Sequence, residues 1–220
     1  MVAHQKESGG PVQTLVASTV SLPCTFDKRN RPIYVRPVAD MTHRNKDAAW
    51  PRLASELNDL LARTSGKVLV HTVSYDLTAY LSSALERPVF SYCDSRGRSR
   101  AINDYMASDG GVLLAPSLDR GIDLPGDLCR CVVVCKVPYP SLGDKQVAAR
   151  LYGTGASGRL WYQVETIRSL VQMTGRGMRS EDDYCESYIL DSQFVTNVYR
   201  RNRALIPSWW REALIFRKGT

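Results

Sequence analysis

No stretch of the sequence reaches the roughly 18 apolar residues that a membrane-spanning helix requires, and the N-terminus carries no apolar core of a secretory signal. A helical span is thereby excluded, and a soluble, intracellular protein is expected. The six cysteines form no CxxC pair, which excludes the common zinc-ribbon and redox spacings. Cys129, Cys131 and Cys135 would share one face of an extended strand, so a metal site is conceivable there, but reduced thiols packed beside a strand are the simpler expectation. His4, His43 and His71 are too scattered for a metal set. His71, inside an apolar run, reads as a hydrogen-bonded core residue, and no metal site is expected. No GxxxxGK[ST] phosphate loop is present. The nearest approach, Ser65, Gly66 and Lys67, runs into Val68, which lacks the hydroxyl that would hold magnesium.

What is present suits one folded unit. With 220 residues, 44% of them hydrophobic, the chain can bury one substantial core. Its 29 Lys and Arg against 22 Asp and Glu give a formal charge of +7, a balance that favours polyanions through phosphate neutralisation and counterion release. Arginine outnumbers lysine by about three to one, which suits forked phosphate contacts and equally suits a biased genomic base composition. Residues 1–30 are polar, broken by Gly9, Gly10 and Pro11, and without a sustained period, so they read as a linker or leader. Residues 31–220 read as a single domain.

From Ile33 onward, short β-branched runs alternate with segments of helical period, the pattern of a parallel sheet covered by helices on both faces. Strands are expected at Ile33 to Val38, Lys67 to Thr72, Val89 to Tyr92, Gly111 to Ala115, Cys131 to Cys135 and Tyr184 to Leu190. Helices are expected through Ala49 to Leu61, from Ser74 as N-cap, through Ile102 and Met106, near Asp144 to Leu151, and through Leu160 to Val171. A glycine-rich turn is expected at Gly153 to Gly158, and helices at the C-terminus, where Trp209 and Trp210 would pack and Arg200, Arg201 and Arg203 would form a solvated or phosphate-tracking face. Ligands of open parallel sheets sit beyond the carboxyl ends of strands, which directs attention to the loop from Pro116 to Gly126.

The sharpest local signal is QMTGRGMR. Spacings of four and three would put Gln172, Arg176 and Arg179 on one helical face, with Gly175 and Gly177 allowing close backbone approach. Two fixed guanidinium groups pointing one way suit phosphoryl transfer, which gains rate from positioning and from neutralising charge on the transferred group. A solvated basic helix end is the alternative.

The longer segment QMTGRGMRSEDDYCESYILD resembles motif VI of superfamily 2 helicases in the XPD-like and DinG-like branch. LAPSLDRGIDLPG is similar to motif V of that branch, VVVCKVPYPSLGDKQVAARL resembles the strand and proline run that follow, and HTVSYDL resembles the motif that places Ser and Tyr after a strand. These four occur in family order from about Ile33 to about Asp191. The resemblance implies a RecA-like α/β fold, a parallel β-sheet flanked by helices, serving as the C-terminal motor domain of an ATP-dependent DNA helicase. It implies that Arg176 and Arg179 reach the nucleotide γ-phosphate with Gln172 nearby, and that Gly121, Asp123 and Gly175 line the nucleotide cleft. It also implies that Ser74, Tyr75 and Ser117 face the nucleic acid, although a helix cap accounts equally for Ser74, and core packing for Tyr75.

The departures from the family are as informative. Neither a phosphate loop nor a DEAH or DECH box is present, so ATP and Mg2+ would be shared with a first motor domain, in cis or in trans, and the isolated chain is expected to be inactive. The family's iron–sulfur cluster, where one occurs, belongs to that first domain, so the cysteines here are not its ligands. The implied partners are single-stranded DNA and the first motor domain, not a membrane; in a bacterial or phage setting the location would be the cytoplasm, at the nucleoid. The rival expectation is a non-catalytic nucleic-acid- or partner-binding protein that keeps the helicase fold.

Overall fold

A computed structural model describes residues 24–116 and 123–216. The strands are β1 (Ile33–Ala39), β2 (Lys67–His71), β3 (Val89–Ser91), β4 (Gly111–Ala115), β5 (Cys131–Val134), β6 (Glu186–Asp191) and β7 (Leu214–Phe216). They form one sheet in the order β3-β4-β2-β5-β6-β1-β7, every neighbouring pair parallel. The helices are α1 (Lys46–Arg63), α2 (Tyr75–Ala84), α3 (Ser95–Ala107), α4 (Lys145–Gly153), α5 (Gly155–Thr174) and α6 (Ser208–Arg211). The doubly covered parallel sheet read from the sequence is the architecture found.

The three central strands explain why their sequences are unbroken apolar runs. Helices cover both faces, so β4 and β5 are buried throughout and β2 from Val68 on, and neither side of the pleat can be polar. On one face Val68, Val70, Val112, Leu114, Cys131 and Val133 meet Leu53 and Leu57 of α1 and Leu77 and Leu81 of α2. On the other, Val134 and Ile189 meet Ile167 and Leu170 of α5, while Leu69, Leu113 and Val132 pack under Tyr105 of α3. Asp191 ties the carboxyl end of the sheet together. Its buried carboxylate accepts hydrogen bonds from the backbone N–H groups of Met41, Val137 and Gln193 at 3.3, 2.9 and 2.9 Å. Burial raises its pKa and the three N–H donors oppose that rise.

The structure corrects several expectations. Cys129 does not share a face with Cys131 and Cys135: it precedes β5 and packs in the cluster under α3, whereas the other two lie in the cluster under α1 and α2. Alternation fails because Cys129 is not strand. The segment Gly153 to Gly158 is not a turn either. Only Thr154 separates α4 from α5, and Gly155 makes the corner with φ +57°. At the C-terminus, Leu214–Phe216 forms β7 beside β1 rather than continuing a helix, while Trp210 is buried and donates from Nε1 to Thr174 Oγ1 at 2.8 Å. Most of the expected leader, residues 1–23, lies outside the described residues, but Phe26 packs against the apolar cluster that includes Met178 and Cys185 and Asn30 O accepts from Cys185 N at 2.9 Å.

Candidate functional site

Gln172, Arg176 and Arg179 do not lie along one helix. α5 ends at Thr174, and Gly175 caps it, its N–H bonded back to Val171 O and Met173 O. Arg176 and Arg179 follow in tight turns, with Arg176 N bonded to Met173 O and Met178 N to Gly175 O. Spacings of three and four lose their meaning once the helix stops, so Gln172 is left exposed on the last helical turn. What brings the arginines to a defined place is the sheet beneath them. A Cβ on Gly177 would lie 2.2 Å from Cys129 O and 2.5 Å from Cys185 Sγ, so the turn rests backbone-on-backbone on the segments that enter β5 and β6.

The turn is then fixed from the far side by Asp183. One of its carboxylate oxygens, Oδ2, accepts from Arg179 N at 2.6 Å and Ser180 N at 2.8 Å. Those two bonds, and more weakly Arg130, hold its pKa below the ordinary carboxylate value. The Arg179 guanidinium reaches across to Asp123, donating from Nε and Nη2 to the same oxygen, Oδ1, at 3.0 and 2.9 Å. Two site residues read from separate segments are thus in direct contact. The Arg179 side chain is 42% exposed and the Asp123 side chain 74%, so this pair is open to solvent and exchangeable.

Arg176 is in a different position. It is half-buried, and desolvation first, then the nearby Arg179, lowers its pKa, with Arg98 of α3 adding to the effect. Arg98 of α3 and Arg176 and Arg179 of the post-α5 turn therefore lie close enough to influence one another, and guanidinium groups gathered in this way suit an anion. Ser117 and Gly121 lie outside the described residues.

The carboxyl end of β2 carries the second half of the site. Ser74 caps α2, its Oγ accepting from Leu77 N at 3.4 Å, and as a hydroxyl it retains a donor for another partner. Tyr75, the first residue of α2, is 45% exposed, which removes core packing as its explanation. Between strand and cap, Val73 has φ +58°, a conformation unfavourable for a β-branched residue and usually maintained by the surroundings at a functional turn. His71 is not the hydrogen-bonded core residue expected. It is 2% exposed, yet neither ring nitrogen has a hydrogen-bond partner among the described residues. Burial, and secondarily Arg176, pushes its pKa down to about 3.

Sequence reasoning did not single out Arg98 or Asp183, and saw in Gly177 only freedom of approach. Asp183 was visible as one of the acidic residues of RSEDD, but which carboxylate would fold back onto the arginine turn depends on the turn itself. Among the described residues no group of three or more His, Cys, Asp or Glu side chains is placed to hold a metal ion.

The profile of the helicase C-terminal domain family matches residues 57–213, which spans β2 through α6 and every residue of the site. This chain belongs to that family. Its likeness to curated relatives places it in the XPD-like and DinG-like branch of superfamily 2. It is 32% identical to mouse regulator of telomere elongation helicase 1 over 123 residues, 49% of this chain and 10% of that protein. It is 22% identical to the ATP-dependent DNA helicase YoaA of Escherichia coli K12 over 192 residues, 83% of this chain and 30% of that protein. The helicase domain described here thus spans under a third of each of these relatives. Among solved structures, S. tokodaii Xpd4 superposes with a TM-score of 0.62 at 20% identity, covering 86% of this chain and 38% of that one. The C-terminal domain of yeast Dbp5, in its complex with Gle1 and IP6, superposes at 0.51 with 14% identity, covering 84% and 87%. At these identities the structural likeness establishes the fold: a RecA-like helicase C-terminal domain.

Proposed function

We propose that this helicase domain is the second motor lobe of an ATP-dependent DNA helicase. In this reading it presents Arg176 and Arg179 to a nucleotide held by a first lobe and carries part of the single-stranded DNA path at Ser74, Tyr75 and Ser117. The observation that carries the reading is the Arg179–Asp123 contact at 2.9 Å beside the desolvated Arg176. It couples the two segments that resemble the family's nucleotide-facing motifs, and it leaves Arg179 free to exchange a solvent-exposed carboxylate for a phosphate.

The donors present fit an anion and not its metal. Guanidinium groups would hold the terminal phosphate oxygens and offset charge that develops as the phosphoryl group is transferred. Mg2+ would be held from the first lobe, since the described residues offer no carboxylate cluster for it. When bound, ATP supplies the bond whose hydrolysis drives the cycle. Asp183 keeps the Arg179 backbone fixed so that its side chain can change partner without the turn unfolding. Tyr75 offers a ring to a base, and Ser74 a hydroxyl to a phosphate.

DNA-stimulated ATPase activity tests this directly, measured on the chain alone and then joined to its first lobe. Activity is expected only in the joined protein. Arg176→Ala and Arg179→Ala should each reduce it by about 10³-fold or more, the scale of an arginine supplied to a transferring phosphate. A joined protein that binds single strands yet hydrolyses no ATP would instead favour a binding module that has kept the fold.

A further inference from the structure

Two unfavourable features stand almost side by side at the carboxyl end of β2. One is the left-handed Val73, with φ +58°. The other is the imidazole of His71, 2% exposed and without a hydrogen-bond partner on either nitrogen among the described residues. The sheet supplies no reason for the imidazole. Its neighbours in register are Ala115 on β4 and Val134 on β5, so no polar side chain stands beside it on the strands, and an apolar side chain in its place would leave no polar atom unpaired. Unpaired buried polar atoms and strained turns persist where they serve a function.

The side of the sheet on which the ring lies identifies what it serves. Alternation along β2 sends Val68 and Val70 to one side and Leu69 to the other, into the cluster that holds Leu124, Cys129 and Met178. His71, two residues after Leu69, shares that side, as do its partners Ala115 and Val134. The arginine turn lies over the same side. Gly177 rests on Cys129 and Cys185, Met178 belongs to the cluster, and the half-buried Arg176 precedes them. The charge of Arg176 is close enough to disfavour protonation of the imidazole, which burial already holds neutral. A neutral imidazole carries one N–H donor and one bare acceptor nitrogen. A bond from a guanidinium to that nitrogen is charge-assisted, and so stronger than one between neutral groups.

We propose that His71 is a positioning residue for Arg176: as the guanidinium turns to a phosphate at the nucleotide cleft, the bare nitrogen of His71 accepts a hydrogen bond from it and fixes the direction of its remaining N–H groups. A guanidinium carries its N–H donors in a rigid fork, so one bond to His71 leaves others for phosphate oxygens. The inference rests on the motor reading and deepens it, because it ties the arginine turn to the strand that leads through Val73 into Ser74 and Tyr75.

The test uses the joined protein, with its DNA-stimulated ATPase resolved into kcat and KM for ATP. His71→Phe keeps a ring and removes both nitrogens. It should lower kcat about ten-fold, the scale of one hydrogen bond to a charged group, and leave KM for ATP nearly unchanged. It should also raise the urea midpoint of this chain, because no polar atom is then left unpaired. His71→Gln, whose amide oxygen stands near the place of Nε2, or His71→Asn, near that of Nδ1, should restore most of kcat. A residue that only packs would give the reverse, full activity with phenylalanine and loss with the amides. In an Arg176→Ala background His71→Phe should have no further effect, whereas in an Arg179→Ala background its effect should remain. Full activity of His71→Phe, a loss that neither amide restores, or a loss undiminished without Arg176 would overturn the proposal and leave the motor reading intact. A wild-type joined protein without ATPase would overturn the motor reading, and this inference with it.

Discussion

His71 is the residue whose chemistry and surroundings disagree most. An imidazole at the carboxyl end of a central strand, with both nitrogens unpartnered among the described residues, leaves polar atoms buried at a cost of about 1–3 kcal/mol. The fold keeps it neutral, with a pKa pushed down to about 3, whereas in the unfolded chain it takes up a proton near 6.5. Below 6.5 the unfolded state therefore binds a proton that the folded state refuses until about pH 3. Stability from this residue is full above the unfolded pKa and falls as the solution is acidified. His71→Leu should remove that dependence. Denaturant melts of the two proteins should differ by about 2 kcal/mol more at pH 5 than at pH 7, with the leucine variant favoured. Parallel pH profiles would mean that the imidazole finds a partner in solution.

At the scale of elements, the turn after α5 shows how a few atoms place a functional group. Gly177 lets the arginine turn settle onto Cys129 and Cys185, two buried free thiols of one apolar cluster. The Cys129 thiol is raised well above its ordinary value, by the neighbouring Cys185 thiol first and by burial second. Gly177→Ala should lift the turn, cost about 1–3 kcal/mol of stability in urea melts, and reduce the ATPase of the joined protein by more than that loss of folded protein explains. An ATPase defect proportional to unfolding would argue that the height of the turn is immaterial. Such close approaches are where the sequence was least legible. The strand runs KVLVH, GVLLA and CVVV and the Ser74 cap were readable because burial and capping act over neighbouring residues. The end of α5 before Arg176, the helical corner at Gly155 and the pairing of Leu214–Phe216 with β1 were not readable. In each, a packing contact overrides local period, near in sequence for α4 against Gly158 and distant for the sheet under Gly177 and for β1 beside β7. The candidate site was legible only as a set of residue types in order. The resemblance put Arg179 and Asp123 at one nucleotide cleft, but their direct contact, across 56 positions, was not read from the sequence.

For the whole molecule, the proposed function makes the domain half of a nucleotide site, and half-sites have a thermodynamic signature. If ATP bridges two lobes, its binding and their association are linked, and each must strengthen the other by the same factor. Arg179 already has an exposed carboxylate partner in Asp123, so closure would exchange one anion for another and not pair a bare charge. The gain is therefore expected to be modest, within the usual coupling range of about 1–3 kcal/mol, or roughly 5- to 150-fold in affinity. With the first lobe supplied as a separate chain, a non-hydrolysable ATP analogue should tighten lobe association by a factor in that range, measurable by calorimetry or sedimentation. Arg179→Ala should erase most of the enhancement while leaving nucleotide-free association nearly unchanged. Asp123→Asn should increase it, because the guanidinium would no longer have to leave a carboxylate. An enhancement that survives Arg179→Ala would place the phosphate contact elsewhere, on Arg176 or on the first lobe alone, and the Arg179–Asp123 contact would then be a surface ion pair of the resting domain.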